Sequence, residues 1–298
     1  MFTHTLKQHV IMGAATTLAA VVLAACSTAS AQPSAPPAAV VEAAVEAGVV
    51  TPAVVEIVTK DHFFEAPAEI ESGWVTVRSR NEGVEAHHVQ LAQLNDGVTF
   101  EAFVEALQQG PEVAFPMLSL AGGPGPLDTG GEAAVTVELA PGNYVLADFL
   151  PSADGVPHIA KGMLAPLTVT AAEDVAVELP EVAGEVKLMS FSFALPQDIQ
   201  AGEQVWKVTN EGDQWHEISL IKLAEGKSMM DVTHWMHAPD GPPPFTNVGG
   251  MQGIDPGESA YLHLNLTPGE YAGLCHIPDP ASGKAHTELG MVMPFTVK

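Results

Sequence analysis

Four side chains with soft donor atoms stand out in the second half of the chain. Cys275, His286 and Met291 lie in "GLCHIPDPASGKAHTELGM", residues 273–291, with ten residues between Cys275 and His286 and four between His286 and Met291. His216 comes far earlier, at the start of the run "HEISLIKL". A thiolate, two imidazoles and a thioether make a nitrogen and sulfur donor set. Such a set suits copper on a trigonal His2Cys base with a weak axial Met, and poorly suits Mg2+ or Ca2+, which take oxygen. The stretch is too rich in Gly, Pro and Ala for a helix. A loop between two strands must therefore carry three donors to the end of a rigid scaffold, where a neighbouring strand brings the fourth.

The scaffold is written twice. "GWVTVRSRNEGVEAHHVQLAQL", residues 73–94, aligns without a gap on "GEQVWKVTNEGDQWHEISLIKL", residues 202–223, which pairs Asn81 with Asn210 and His87 with His216. "GGPGPLDTGGEAAVTVELAPGNYVLADFLP", residues 122–151, aligns on "GGMQGIDPGESAYLHLNLTPGEYAGLCHIP", residues 249–278, and pairs Tyr144 with Tyr271. Short runs such as "WVTVRS", "AAVTVELA" and "NYVLADF" alternate apolar and polar residues as half-buried strands do, and "NEG", "APGN" and "TPGE" supply the turns. One helix interrupts the strands of each copy. "TFEAFVEALQQG" has Thr99 as its N-cap, an apolar face of Phe100, Phe103, Val104 and Leu107, and Gly110 at its end; "SMMDVTHWMHAPDG" takes the same place in copy two. The expected fold class is all-β: two tandem Greek-key β-sandwiches, each with one short helical insert.

With these residues in view, the chain resembles the cupredoxins, the type 1 (blue) copper proteins, over both copies. In that family the first His follows an N-x-G turn, as His216 does in "NEGDQWHEISL", and the other ligands come from one C-terminal loop. The resemblance implies a cupredoxin-like fold and one copper ion held by His216, Cys275, His286 and Met291. The interval from Cys275 to His286 is longer than in most small members, which makes His276 the rival for the second imidazole. His286 is preferred because its spacing to Met291 matches the family, and because a side chain next to Cys275 on a strand end points to the opposite face.

The first copy is an internal control. His87, His158 and Met163 stand at the equivalent positions, but Asp148 faces Cys275 in the alignment. Without a thiolate no blue copper site can form, and an Asp/His/His set is harder and weaker. The first copy is expected to be a metal-free structural domain, with His88 at the surface.

The chain begins like a bacterial lipoprotein signal: a single Lys in residues 1–10, the apolar run "IMGAATTLAAVVLA", then "LAAC" ending at Cys26. The h-region is short for a membrane span. Residues 1–25 are expected to be removed, Cys26 to be acylated and to anchor the protein to a lipid bilayer outside the cytoplasm, periplasmic or at the cell surface. Residues 26–49 read as a tether, 50–171 as the domain without the Cys ligand, 172–180 as a linker, and 181–298 as the domain with the copper site. With Cys26 acylated, Cys275 has no disulfide partner, so the second of the two cysteines needs burial or a metal. The formal net charge of −25 excludes nucleic acid as a partner.

These features together predict a cell-envelope electron carrier that works with redox partner proteins and is not an enzyme. No His-x-His pair occurs, and Leu274 rather than a His precedes Cys275, which argues against oxidase or reductase chemistry. His234 and His237 share a helix face and could hold a second ion. The alternatives are copper storage or delivery, with "SMMDVTHWMH" as the donor-rich surface, and a metal-free β-sandwich structural or adhesion lipoprotein.

Overall fold

The computed structural model describes residues 50–298 except Asp174, so the leader, Cys26 and the tether lie outside the described residues. The first copy runs through β1 (Ala53–Lys60), β2 (Phe63–Glu65), β3 (Glu69–Glu71), β4 (Gly73–Asn81), β5 (Gln90–Leu94), α1 (Phe100–Gln109), α2 (Pro111–Ala114), β6 (Leu118–Leu120), β7 (Glu132–Leu139), β8 (Gly142–Ala147) and β9 (Leu164–Thr170). The second continues with β10 (Gly184–Met189), β11 (Ser192–Ala194), β12 (Gly202–Asn210), β13 (His216–Leu223), α3 (Met229–His237), β14 (Phe245–Ile254), β15 (Ser259–Leu266), β16 (Gly269–Leu274) and β17 (Val292–Val297). Among the described residues no strand lies between β9 and β10, where Val177 makes an isolated bridge with Val50.

Each copy is a sandwich, as its alternating strands require. Along β4 every second residue from Val75 to Asn81 is buried. Val75, Val77, Val135 and Val137 meet Leu91, Leu146, Leu167 and Val169 of the facing sheet; in copy two Val186, Leu188, Trp206 and Leu262 meet Ile218, Leu220 and Val297. The facing sheets are separate, β3-β9-β8-β5-β6 and β14-β13-β16-β17. The other layer is shared, one eight-stranded sheet in the order β11-β10-β12-β15-β7-β4-β1-β2.

Sharing comes from a local two-fold. β15 pairs antiparallel with β7, placing Leu262 opposite Val135, its own equivalent in the repeat, with Tyr261 opposite Thr136 and His263 opposite Ala134. The preceding segments obey the same symmetry: Pro124 bridges its equivalent Met251, while Ala121 bridges Ile254 and Leu127 bridges Val248. The copies are therefore joined as the subunits of an isologous dimer are. Two equivalent glycines let each of these segments lie tightly against the first-His strand of its own copy. Gly123 and Gly250 have φ of +123° and +105°, and a Cβ on either would collide with the carbonyl oxygen of Val89 or Ile218.

The helices lie on the outer faces of the facing sheets. Thr99 caps α1 by accepting from the Ala102 amide, and Phe103 and Ala106 bury against Ala92, Leu94 and Val145. A capping box of Ser228 and Asp231 starts α3, whose Val232 buries against Ile221, Ala272 and Leu274. In the first copy the single insert between β5 and β6 is longer. After Gly110 the chain resumes as α2, with Pro111 in its first turn, a position where proline's missing N–H costs nothing.

Candidate metal centre

The N-x-G turn places the first imidazole. Buried Asn210 accepts from the Gly212 amide at 3.0 Å and donates to the carbonyls of Gln214 and Ile254 at 2.8 and 3.0 Å, so one side chain closes the turn and ties it to β14. His216 opens β13 just beyond. Gly212 lies flat against its ring: a Cβ there would stand 2.5 Å from Nε2. The ring is held with Nδ1 facing His286 and Cys275.

The C-terminal loop brings the rest by folding on itself. The Cys275 amide donates to the Met291 carbonyl at 3.3 Å, the Thr287 amide to the Cys275 carbonyl at 2.8 Å, the His286 amide to the Ile277 carbonyl at 2.9 Å, and the Met291 amide to the His286 carbonyl at 2.9 Å. Pro278 bridges Ala285, and Asp279 and Lys284 close the residues between them into a separate turn. That turn absorbs the unusual length of the loop without moving His286 away from Cys275.

Three donors converge. Nδ1 of His216 and Nδ1 of His286 are 3.1 Å apart, and Sγ of Cys275 is 3.3 Å from the second and 4.0 Å from the first. All three residues are fully buried, and so is Met291. A point equidistant from the three atoms lies roughly 2 Å from each, the length of bonds from imidazole nitrogen to a first-row metal and slightly short of those from thiolate sulfur. Two ring lone pairs and a sulfur aimed at one point have no mutual hydrogen-bond solution without a proton or an ion between them. The donor set therefore fits copper.

Electrostatics agree. Burial, and behind it the second imidazole, lowers His216 to about 4, so it is a neutral ligand at ordinary pH. Burial lowers His286 as well, and its Nε2 meets Gln214 Oε1 at 3.1 Å, which leaves Nδ1 free. Burial, with Glu217 nearby, pushes the Cys275 thiol up, so a cation is needed to hold the thiolate.

The rival imidazole is turned away. His276 is outside the donor group; its amide donates to Glu217 Oε1 at 2.7 Å, and burial, followed by the nearby His88, holds its ring at about 4. His234 and His237 sit exposed on α3 and join no donor group among the described residues.

The first copy reproduces this construction. His87, Asp148 and His158 meet in a second fully buried group, with Met163 buried at the equivalent place. His88 is not at the surface as expected; it is buried, and its Nε2 accepts the Phe149 amide at 2.8 Å. Its equivalent Glu217 accepts the amide of His276, the residue aligned with Phe149. The alignment held the signal, since the residue after the first His pins the residue after the Cys or Asp in both copies.

A tandem β-sandwich of this kind is cupredoxin-like, and the His-Cys-His-Met set in its second half is type 1 copper-like. No protein-family model matches the chain, and no curated protein matches it. Among solved structures it is similar to the dithionite-reduced auracyanin of Roseiflexus castenholzii (21% identity, 41% of this chain and 99% of that one, TM-score 0.27). It is similar also to auracyanin A, a "blue" copper protein of Chloroflexus aurantiacus (20%, 40% and 99%, TM-score 0.28), and to the blue copper oxidase of Nitrosomonas europaea (16%, 82% and 84%, TM-score 0.23). Likeness at this level carries no functional argument; the donors and their geometry do.

Proposed function

We propose that the protein is a one-electron carrier working through a single type 1 copper held by His216, Cys275, His286 and Met291. The observation that carries the proposal is the convergence of Nδ1, Nδ1 and Sγ on one buried point. Copper there supplies a centre that cycles between two oxidation states while its ligands stay in place. The chain does the rest: Asn210 and Gly212 fix the first ring, the 275–291 loop fixes the other donors, and Gln214 orients His286. Full burial of the donors supports a carrier over an enzyme or a store, because neither a substrate nor an exchanging chelator reaches the ion directly.

The domain limits 50–171 and 181–298, the partner redox proteins, and attachment to a membrane outside the cytoplasm through acylated Cys26 are parts of the same proposal. The attachment is motivated by the signal in residues 1–26. A visible spectrum of copper-loaded protein tests the electronic role: an intense blue bleached by reductant is expected, and a colourless Cu(I) complex or no copper uptake overturns it.

A further inference from the structure

The donor group in the first copy differs from the copper site by a consistent set of replacements. Asp148 stands for Cys275, Glu85 for Gln214, and, where the hairpin after the first strand comes round, Asp61 for Ser190. Each replacement puts a carboxylate where copy two has a thiol, an amide or a hydroxyl. The geometry is otherwise the same. Asp148 Oδ2 lies 2.8 Å from His87 Nδ1 and 3.0 Å from His158 Nδ1, and the rings are 4.6 Å apart between centroids, against 4.8 Å for His216 and His286.

The outer ring nitrogens are also engaged. His87 Nε2 meets Asp61 Oδ1 at 3.1 Å, and His158 Nε2 meets Glu85 Oε2 at 3.0 Å. In copy two the matching nitrogen of His216 has no partner and that of His286 meets a neutral amide. A ring that donates Nε2–H to a carboxylate presents Nδ1 as the lone pair and becomes a stronger base, the arrangement found behind metal-ligating histidines. Asp61 is itself fixed by the Val84 amide at 2.9 Å, and Glu85 by the Ala153 amide at 2.9 Å.

Three carboxylates around two imidazoles leave the pocket short of positive charge, and a soft monovalent ion suits neither the charge nor the oxygen donor. Imidazole with carboxylate suits a borderline divalent cation. We propose that His87, Asp148 and His158 form a second metal site, for a divalent cation of the zinc type, with Asp61 and Glu85 as positioning residues that orient the two rings. This site is independent of the copper proposal, and a cation of the zinc type, which has a single accessible oxidation state, gives it no redox role.

Equilibrium dialysis of the full chain against Zn2+ tests it, in a Cys275→Ala background so that the thiolate site does not contribute. Retention of one Zn2+ per chain, lost on adding Asp148→Asn, is the expected result. Uptake of none, or uptake that Asp148→Asn leaves unchanged, overturns the proposal. Should Asp148→Asn fail to fold, Glu85→Gln in the same background decides: it restores the residue type of copy two and is expected to weaken Zn2+ binding by about 10–100-fold while the far-ultraviolet circular dichroism stays the same. Unchanged affinity in Glu85→Gln with the fold intact also overturns the assignment. Colour at Cys275 is read separately on the unmodified chain, so failure of one site leaves the other decided by its own measurement.

Discussion

Asp148 and Cys275 occupy one position in two copies of the same loop: each amide donates across 3.3 Å to the carbonyl of a buried methionine, Met163 for the first and Met291 for the second. The same anchoring hydrogen bond thus presents a carboxylate in one copy and a thiol in the other. At this position the difference in chemistry lies in the side chain. Cys275→Ala is therefore expected to abolish the blue absorption of copper-loaded protein with little loss of fold, whereas Met291→Leu keeps the colour. Removing a weak sulfur donor disfavours Cu(II) relative to Cu(I), so Met291→Leu raises the potential, and a potentiometric titration followed in the visible band reads the shift.

Gly212 tests how firmly the first ring is held. A methyl there would press on His216 Nε2 at 2.5 Å, and the turn has little room to yield because Asn210 clamps it. Gly212→Ala is expected to cost about 1–3 kcal/mol of stability through overpacking, and to weaken copper binding. A urea titration and a copper competition titration measure the two effects; unchanged values in both would show that the ring is free to move.

Asn210 and Asn81 make matching sets of buried hydrogen bonds, to Gln214, Ile254 and Gly212 in one copy and to Glu85, Leu127 and Gly83 in the other. Replacing either with Ala leaves backbone groups unpaired, at a cost of about 2–4 kcal/mol. The two variants are expected to lower the urea midpoint by similar amounts, but only Asn210→Ala should change the visible spectrum.

The acidic cluster sets a pH dependence in metal-free protein. Burial raises the Asp61 carboxyl, but hydrogen bonds from His87 and the Val84 and Glu85 amides outweigh it, and the net shift is downward. A carboxylate with a depressed folded pKa contributes stability that is present above its unfolded value, about 4, and is lost as pH falls toward the folded one. His158 is shifted upward: burial lowers it, and the Asp148 and Glu85 carboxylates more than offset that. Its contribution is present below about 6.5 and is lost as pH rises through the folded value. The penalty of Asp61→Asn should therefore shrink from pH 6 to pH 3, and that of His158→Gln from pH 6 to pH 8, in urea midpoints of the metal-free chain.

The ligand loop was readable because its parts are local: Cys275, His286 and Met291 hydrogen-bond to one another through a few residues of backbone, so their spacing is their geometry. The repeat made the double sandwich readable in the same way. Asp61 was not, since it reaches His87 from a hairpin that precedes the aligned segments and owes its place to the parallel pairing of β1 with β4. The shared sheet was hidden too. Val135 and Leu262 look like ordinary core positions, and nothing in either strand alone says that it will meet its own copy. His88 was misread because a histidine beside a histidine suggests surface, although its alignment with Glu217 pointed to a buried acceptor.

A sulfhydryl that solvent cannot touch has a chemical consequence during the life of the molecule. With Cys275 sealed inside the sandwich, the folded, ion-free domain cannot cross-link to its neighbours through that thiol, and oxidants meet the protein surface first. The fold thereby shields the thiol from oxidation in the interval between folding and loading.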